Sequence, residues 1–223
     1  MKTIIMLLLY SMIITTVWSQ AMYVEEGKNA YSFTGIYETE DGEGGKTTST
    51  AAVFWYTLNG NIDFIVEYDI ASYEDETGTL PNLDSKASGL TFGGYYHVKN
   101  PTMPFNMRFG GTYGTATLDA DYLDDLQWEA SANASSFGGG IYKSVYDAET
   151  YSIIPFVNFS SITLETTLED SYGTSESIDD EFTAFAFGAG IKFNNNLYVQ
   201  PIIKQVDGES SFSIAFGGVF PQQ

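Results

Sequence analysis

From residue 30 onward, apolar and polar residues alternate with a period of two, in runs that recur about every twenty residues between turn signals. The alternation predicts ten strands, at 30–40, 48–58, 62–74, 87–98, 105–118, 134–146, 151–166, 181–194, 196–206 and 211–220. No run carries the 3.6-residue apolar stripe of a helix. The eighth strand shows the pattern best. Phe185, Phe187, Ala189, Ile191 and Phe193 share one face, and Ala184, Ala186, Gly188, Gly190 and Lys192 share the other. The third strand sets Phe64, Val66, Tyr68 and Ile70 against Asp63, Ile65, Glu67 and Asp69. The fourth, fifth and tenth strands divide in the same way.

The connections alternate as well. Asn59-Gly60-Asn61 is a tight hairpin signal, and short links recur at 99–104, 147–150 and 194–196. Between them lie longer, acidic links at 41–47, 75–86, 119–133 and 167–180, then a shorter Asp207-Gly208-Glu209. Tight turns at one end and longer loops at the other, with an even strand number, describe a transmembrane β-barrel with both termini on the periplasmic side. A soluble sandwich or barrel would bury the apolar face and place charges of both signs on the other. Here the second face is mostly Gly, Ala, Ser and Thr, which suits a narrow lumen, while the aromatic face suits lipid. The expectation is an all-β, single antiparallel up-and-down transmembrane β-barrel of ten strands, with eight as the alternative count.

Composition narrows the classes of function. The 223 residues hold 29 acidic and 9 basic side chains, a formal charge of −20, so nucleic acid is not an expected partner. There is no cysteine and one histidine, His97, which removes thiolate and multi-histidine metal sites. Before residue 20, Lys2 precedes an apolar run from Ile4 to Trp18, too short for the roughly 20 residues of a spanning helix. Small-residue patterns follow at Val17-Trp18-Ser19 and Ser19-Gln20-Ala21. Residues 1–19 are expected to be a signal peptide cleaved after 19 or 21, and 20–223 one barrel domain.

Phe137-Gly138-Gly139-Gly140-Ile141-Tyr142, Phe187-Gly188-Ala189-Gly190-Ile191-Lys192-Phe193 and Tyr198-Val199-Gln200-Pro201 resemble segments of the small bacterial outer-membrane barrel proteins, the opacity-type and porin-like family. The final strand, with its alternating apolar residues ending at Phe220 ahead of Pro221-Gln222-Gln223, is similar to that family's assembly signal. The resemblance implies residence in the bacterial outer membrane, contact with its lipid, and recognition by the barrel assembly machinery through that strand. A monomer is expected, and the length leaves no room for the separate periplasmic domain that cell-wall-anchoring members of that family add.

On the lumen face the acids Glu38, Asp63, Glu67 and Asp69 lie on the first and third strands, and Arg108, Lys192 and Lys204 on the fifth, eighth and ninth. Asp63, Arg108 and Lys192 fall toward the periplasm, and the other four at mid-height or above. These seven form a candidate lumen charge network, either a constriction that filters solutes or pairs required because buried charges need partners. Lys204 and Glu38 are separated by one strand only and are expected to meet. His97 ends the fourth strand beside a periplasmic turn, where a catalytic base has no cleft to serve; it reads as a polar lumen or interfacial residue. No catalytic, cofactor-binding or metal-binding set is assigned, and the chain is not expected to be an enzyme. Asp119, Asp121, Asp124 and Asp125, or Glu169, Asp170, Asp179 and Asp180, offer oxygen ligands without the spacing of a calcium loop, and Asp124-Asp125 and Asp179-Asp180 read as solvated tips. Two functions stay open: a passive small-solute channel, for which glycines and alanines at 89, 93, 110, 114, 138, 140, 184, 186, 188 and 190 leave room, and a closed structural or adhesive barrel acting through acidic outer loops.

Overall fold

The computed structural model describes residues 21–42, 45–75, 85–120, 123 and 127–222. The expected signal peptide, 1–19, lies outside them. The strands are β1 (Ala30–Gly42), β2 (Gly45–Leu58), β3 (Ile62–Asp75), β4 (Ser85–Val98), β5 (Asn106–Ala120), β6 (Trp128–Tyr142), a two-residue β7 (Tyr146–Asp147), β8 (Tyr151–Asp170), β9 (Ser175–Phe193), β10 (Leu197–Val206) and β11 (Glu209–Pro221). Each pairs antiparallel with the next in sequence, except that β6 pairs directly with β8, and β1 pairs with β11 to close the sheet. Ten strands thus form a closed barrel, with β7 an appendage on β8.

Alternation decides what faces where. Large apolar side chains are exposed on all ten barrel strands, from Phe33 on β1 to Phe216 on β11. Phe137 is 70% exposed, whereas Trp55, on the inward side of β2, is 0% exposed. An exposed apolar band continuous around a sheet is far larger than the patches of a soluble monomer, and is the outer surface of a transmembrane barrel.

Turn chemistry fixes the register. Asn59 (φ 52°) and Gly60 (φ 67°) both take left-handed backbone in the β2–β3 turn, and Asp207 (φ 48°) and Gly208 (φ 94°) repeat this between β10 and β11. At the outer end two expected loops are shorter than the sequence suggests. The 167–180 link is strand except for a turn at 171–174, and β6 begins at Trp128. Asp179 and Asp180 therefore lie within β9, opposite Glu165 and Leu164, and are not a loop tip. Their neighbourhood reads as loop because it is rich in Ser, Thr, Asp and Glu, yet Leu164, Thr166 and Leu168 keep the inward alternation. Asp121 and Asp124-Asp125 lie outside the described residues. Lys46, expected in a loop, stands in β2 opposite Asp41.

Candidate functional site

The lumen holds two charged clusters at different heights. In the lower one, at the end of the barrel with the short turns, Asp63 of β3 meets His97 of β4, with Oδ2 and Nε2 3.4 Å apart. Thr57 Oγ1 donates to Asp63 Oδ1 at 2.6 Å, and His97 Nδ1 lies 2.9 Å from the Tyr142 hydroxyl. Arg108 of β5 donates from Nε to Asn158 Oδ1 at 2.9 Å, and its Cζ sits 4.8 Å from the centre of the Tyr95 ring. A guanidinium over an aromatic face gains a cation–π attraction that strengthens as water is removed. Asn158 can reach in because residue 140 beside it is glycine: a Cβ there would stand 1.9 Å from Asn158 Oδ1.

The upper cluster is built differently. Lys204 of β10 reaches over β11 and donates from Nζ to Glu38 Oε2 of β1. Ser211 Oγ donates to the other oxygen of Glu38 at 2.8 Å. Glu67 and Asp69, two residues apart on β3, face the same lumen and are buried. The Lys204 charge acts electrostatically on Glu67 and on Glu40 as well. One ammonium thus serves several carboxylates.

The structure divides the seven candidate residues into these clusters and one outlier. Glu38, Glu67, Asp69 and Lys204 share the upper lumen, and Asp63 and Arg108 the lower. Lys192 lies at the mouth of the short-turn end, where its Nζ donates to the Tyr23 carbonyl oxygen at 2.8 Å. Sequence reasoning missed the neutral partners, Tyr142 and Asn158. Both sit at inward positions of their strands, and the glycine facing Asn158 was the available signal.

Sequence reasoning also missed the strap that precedes β1, because residues 21–29 carry no periodicity. Ala21–Tyr23 forms a 3-10 turn that puts Tyr23 inside the barrel mouth. The Tyr23 ring stacks on Tyr198 with centroids 4.7 Å apart, and its hydroxyl donates to Gln200 Oε1 at 2.9 Å. Burial, and then the neighbouring Tyr198, push the Tyr23 phenol well above its ordinary pKa. Lys99 Nζ donates to the Val24 carbonyl oxygen at 2.6 Å, and burial lowers this lysine to a pKa of about 8. Gly27 N donates to Asn59 O at 2.9 Å. At Gly60 a Cβ would stand 2.2 Å from Glu25 O, so glycine there serves both the turn and the strap.

Rings fill the room that glycines leave. A Cβ on Gly110 would fall 2.5 Å from the Tyr95 ring, and one on Gly188 2.7 Å from Phe156. Gly190 lies under the Tyr23 hydroxyl and Gly217 under that of Tyr198, at 2.1 and 2.6 Å from an added Cβ. Trp55, Ile65, Ile202 and Leu164 complete an interior with almost no exposed surface. Toward the outer end Leu123, from the β5–β6 connection, is buried in the same core.

The outer rim is uneven. β8 and β9 form a hairpin of 20 and 19 residues, against 10 and 13 in β10 and β11. Asp170 Oδ1 caps its turn by accepting the N–H groups of Tyr172 and Thr174 at 2.9 and 2.8 Å. Tyr172, at the tip, is 91% exposed.

No family model and no curated protein matches the sequence. Solved structures do share its fold. The translocator domain of the autotransporter NalP from Neisseria meningitidis is similar at a TM-score of 0.53 and 10% identity, over 88% of this chain and 89% of that one. The transport unit of the autotransporter AIDA-I from Escherichia coli is 11% identical, over 99% of this chain and 97% of its own, with a TM-score of 0.47. Neisserial surface protein A is 10% identical over 86% and 96%, with a TM-score of 0.36. What the NalP translocator domain shares with the chain is the fold, that of an outer-membrane β-barrel.

Proposed function

We propose that the chain is a closed barrel of the bacterial outer membrane, of the small surface-protein kind, which acts through its outer end and catalyses nothing. The observation that carries this reading is the filled lumen. Gly110, Gly188 and Gly190, which would widen a channel, lie beneath Tyr95, Phe156 and Tyr23, Gly217 lies beneath Tyr198, and the strap occupies the short-turn mouth. Small barrels whose inward side chains meet leave no continuous water path. In this reading the lumen charges are structural, since each of the two clusters is buried and internally bonded. His97, Asp63 and Tyr142 resemble a proton relay in outline, but all three are buried, with nowhere for a substrate to approach. The aromatic outer face meets lipid, and the strand ending at Phe220 addresses the assembly machinery.

Planar-bilayer recording of the purified protein tests the proposal. Electrical silence is expected. Steady unitary conductance would sink the closed reading and restore the small-solute channel. The location is checked by carbonate extraction of membranes, from which the protein should not be released without detergent.

A further inference from the structure

The ladder between β9 and β10 ends at the Ala184–Val206 pair, because β10 and β11 turn over at Asp207 and Gly208. β9 does not end there. With β8 beside it, it extends from that pair out to Ser175. On the other side of the β10–β11 hairpin, β1 runs three residues past its last pair with β11, Thr39–Phe212, and β11 has three residues beyond that pair as well, so β1 does not rise above the hairpin. The rim therefore steps down from β9 to β10, and the open wall of the step is about 30 Å of β9 at roughly 3.3 Å per residue. Among the described residues no strand pairs with this wall on the side of β10. A sheet edge of that length is a template for another extended chain.

Side chains choose among the candidates. Outward along the wall stand Ser177, Asp179, Glu181 and Thr183, with Asp180 on the other face and no basic residue from 175 to 183. Asp207 and Glu209 lie at the foot of this wall, in the turn and first residue after β10. A second copy of the chain would bring like charges side by side, which is destabilising across paired strands. A segment with cations at alternate positions meets carboxylates instead, and the acidic outer end would raise its local concentration.

We propose that the outer part of β9 is a docking edge for an extended, lysine- or arginine-rich polypeptide segment, which adds to the sheet as the strand missing above β10. The inference rests on the outer-end reading given above and names its class of partner. The test uses the full chain in lipid nanodiscs and a short fluorescent peptide alternating lysine and threonine, with binding read by anisotropy. Two comparison peptides have the same sequence with every second backbone nitrogen methylated, or glutamate in place of lysine. Methylation keeps the charge and blocks pairing, so binding should weaken by at least about tenfold. The glutamate peptide should not bind. The Asp179→Asn, Glu181→Gln double variant, at two exposed positions, should weaken the lysine peptide by about tenfold as well. Equal binding of methylated and unmethylated peptides would overturn the proposal, since charge alone would then hold them. No binding at all, or self-association of the protein through this edge, would overturn it too. The bilayer recording stays independent: silence without peptide binding refutes the docking edge and leaves the closed barrel standing.

Discussion

The two lumen clusters solve one problem in opposite ways. Toward the short turns, Asp63 and Arg108 are surrounded by neutral groups: Thr57, Tyr142, Asn158 and the Tyr95 ring share the charge with His97. Toward the outer end, Glu38, Glu40 and Glu67 depend on Lys204. A buried charge that loses its partner retains its desolvation cost. Where partners are many, losing one is absorbed; where one cation serves several carboxylates, its loss is felt by all of them. The upper cluster is therefore the fragile one.

Lys204→Met is expected to have the largest effect, about 3–5 kcal/mol of stability, read as the unfolding midpoint by heat-modifiable gel mobility. Adding Glu38→Gln should recover a good part, because one orphaned carboxylate then becomes neutral. Lys46→Ala, in β2 at the outer end, serves as the control and should stay within about 0.5 kcal/mol. If Lys204→Met and Lys46→Ala behaved alike, the contrast between the clusters would be wrong.

Tyr23→Ala removes a buried ring and its bond to Gln200, and should cost about 2–4 kcal/mol. Limited proteolysis should then cut within 21–29, where the wild-type strap is protected. Full protection in the variant would show that the lysine contacts alone hold the strap.

Arg108→Met sharpens the comparison from the other side. Asp63 keeps Thr57 and His97, so the expected loss is about 1–2 kcal/mol, smaller than that of Lys204→Met. A loss equal to that of Lys204→Met would mean that the neutral partners contribute little.

The smallest effect is a pH dependence. Lys99 has a folded pKa of about 8, below an unfolded value of roughly 10.4. Between those values the unfolded chain binds more protons, so stability rises with pH from about 8 to 10 as the desolvation cost of the ammonium is relieved. The contribution is on the order of 1 kcal/mol, allowing for partial exposure. Titration of the midpoint should show the rise in the wild type and lose it in Lys99→Met.

Much of this was legible in the sequence, because a period of two fixes sidedness. Phe64, Val66, Tyr68 and Ile70 are exposed and Asp63, Ile65, Glu67 and Asp69 buried, as alternation alone requires. Placing Lys204 and Glu38 on one lumen needed only the strand order and the faces. The reach of β8 and β9 was not legible, because Ser, Thr, Asp and Glu form an exposed strand as readily as a loop. Nor were Asn158 and Tyr142: an inward polar residue declares its face but not its partner, which depends on how the barrel curves. The strap left no trace, since its fold is imposed by the mouth that receives it.

The pairing of rings with glycines carries a consequence for descent. Tyr95 with Gly110, Phe156 with Gly188, Tyr198 with Gly217 and Tyr23 with Gly190 are each one object divided between two positions. A lineage that enlarges the glycine must shrink or redirect the ring, but losing the ring frees Gly190 alone, because the backbone oxygens of Gly94, Pro201 and Phe33 still stand 2.1, 2.5 and 2.2 Å from a Cβ at Gly110, Gly188 and Gly217. Tyr23 and Gly190 should therefore change together in related chains, the other three glycines should outlast their rings, and a chain in which all four rings had become small would have inherited the same barrel as a hollow one.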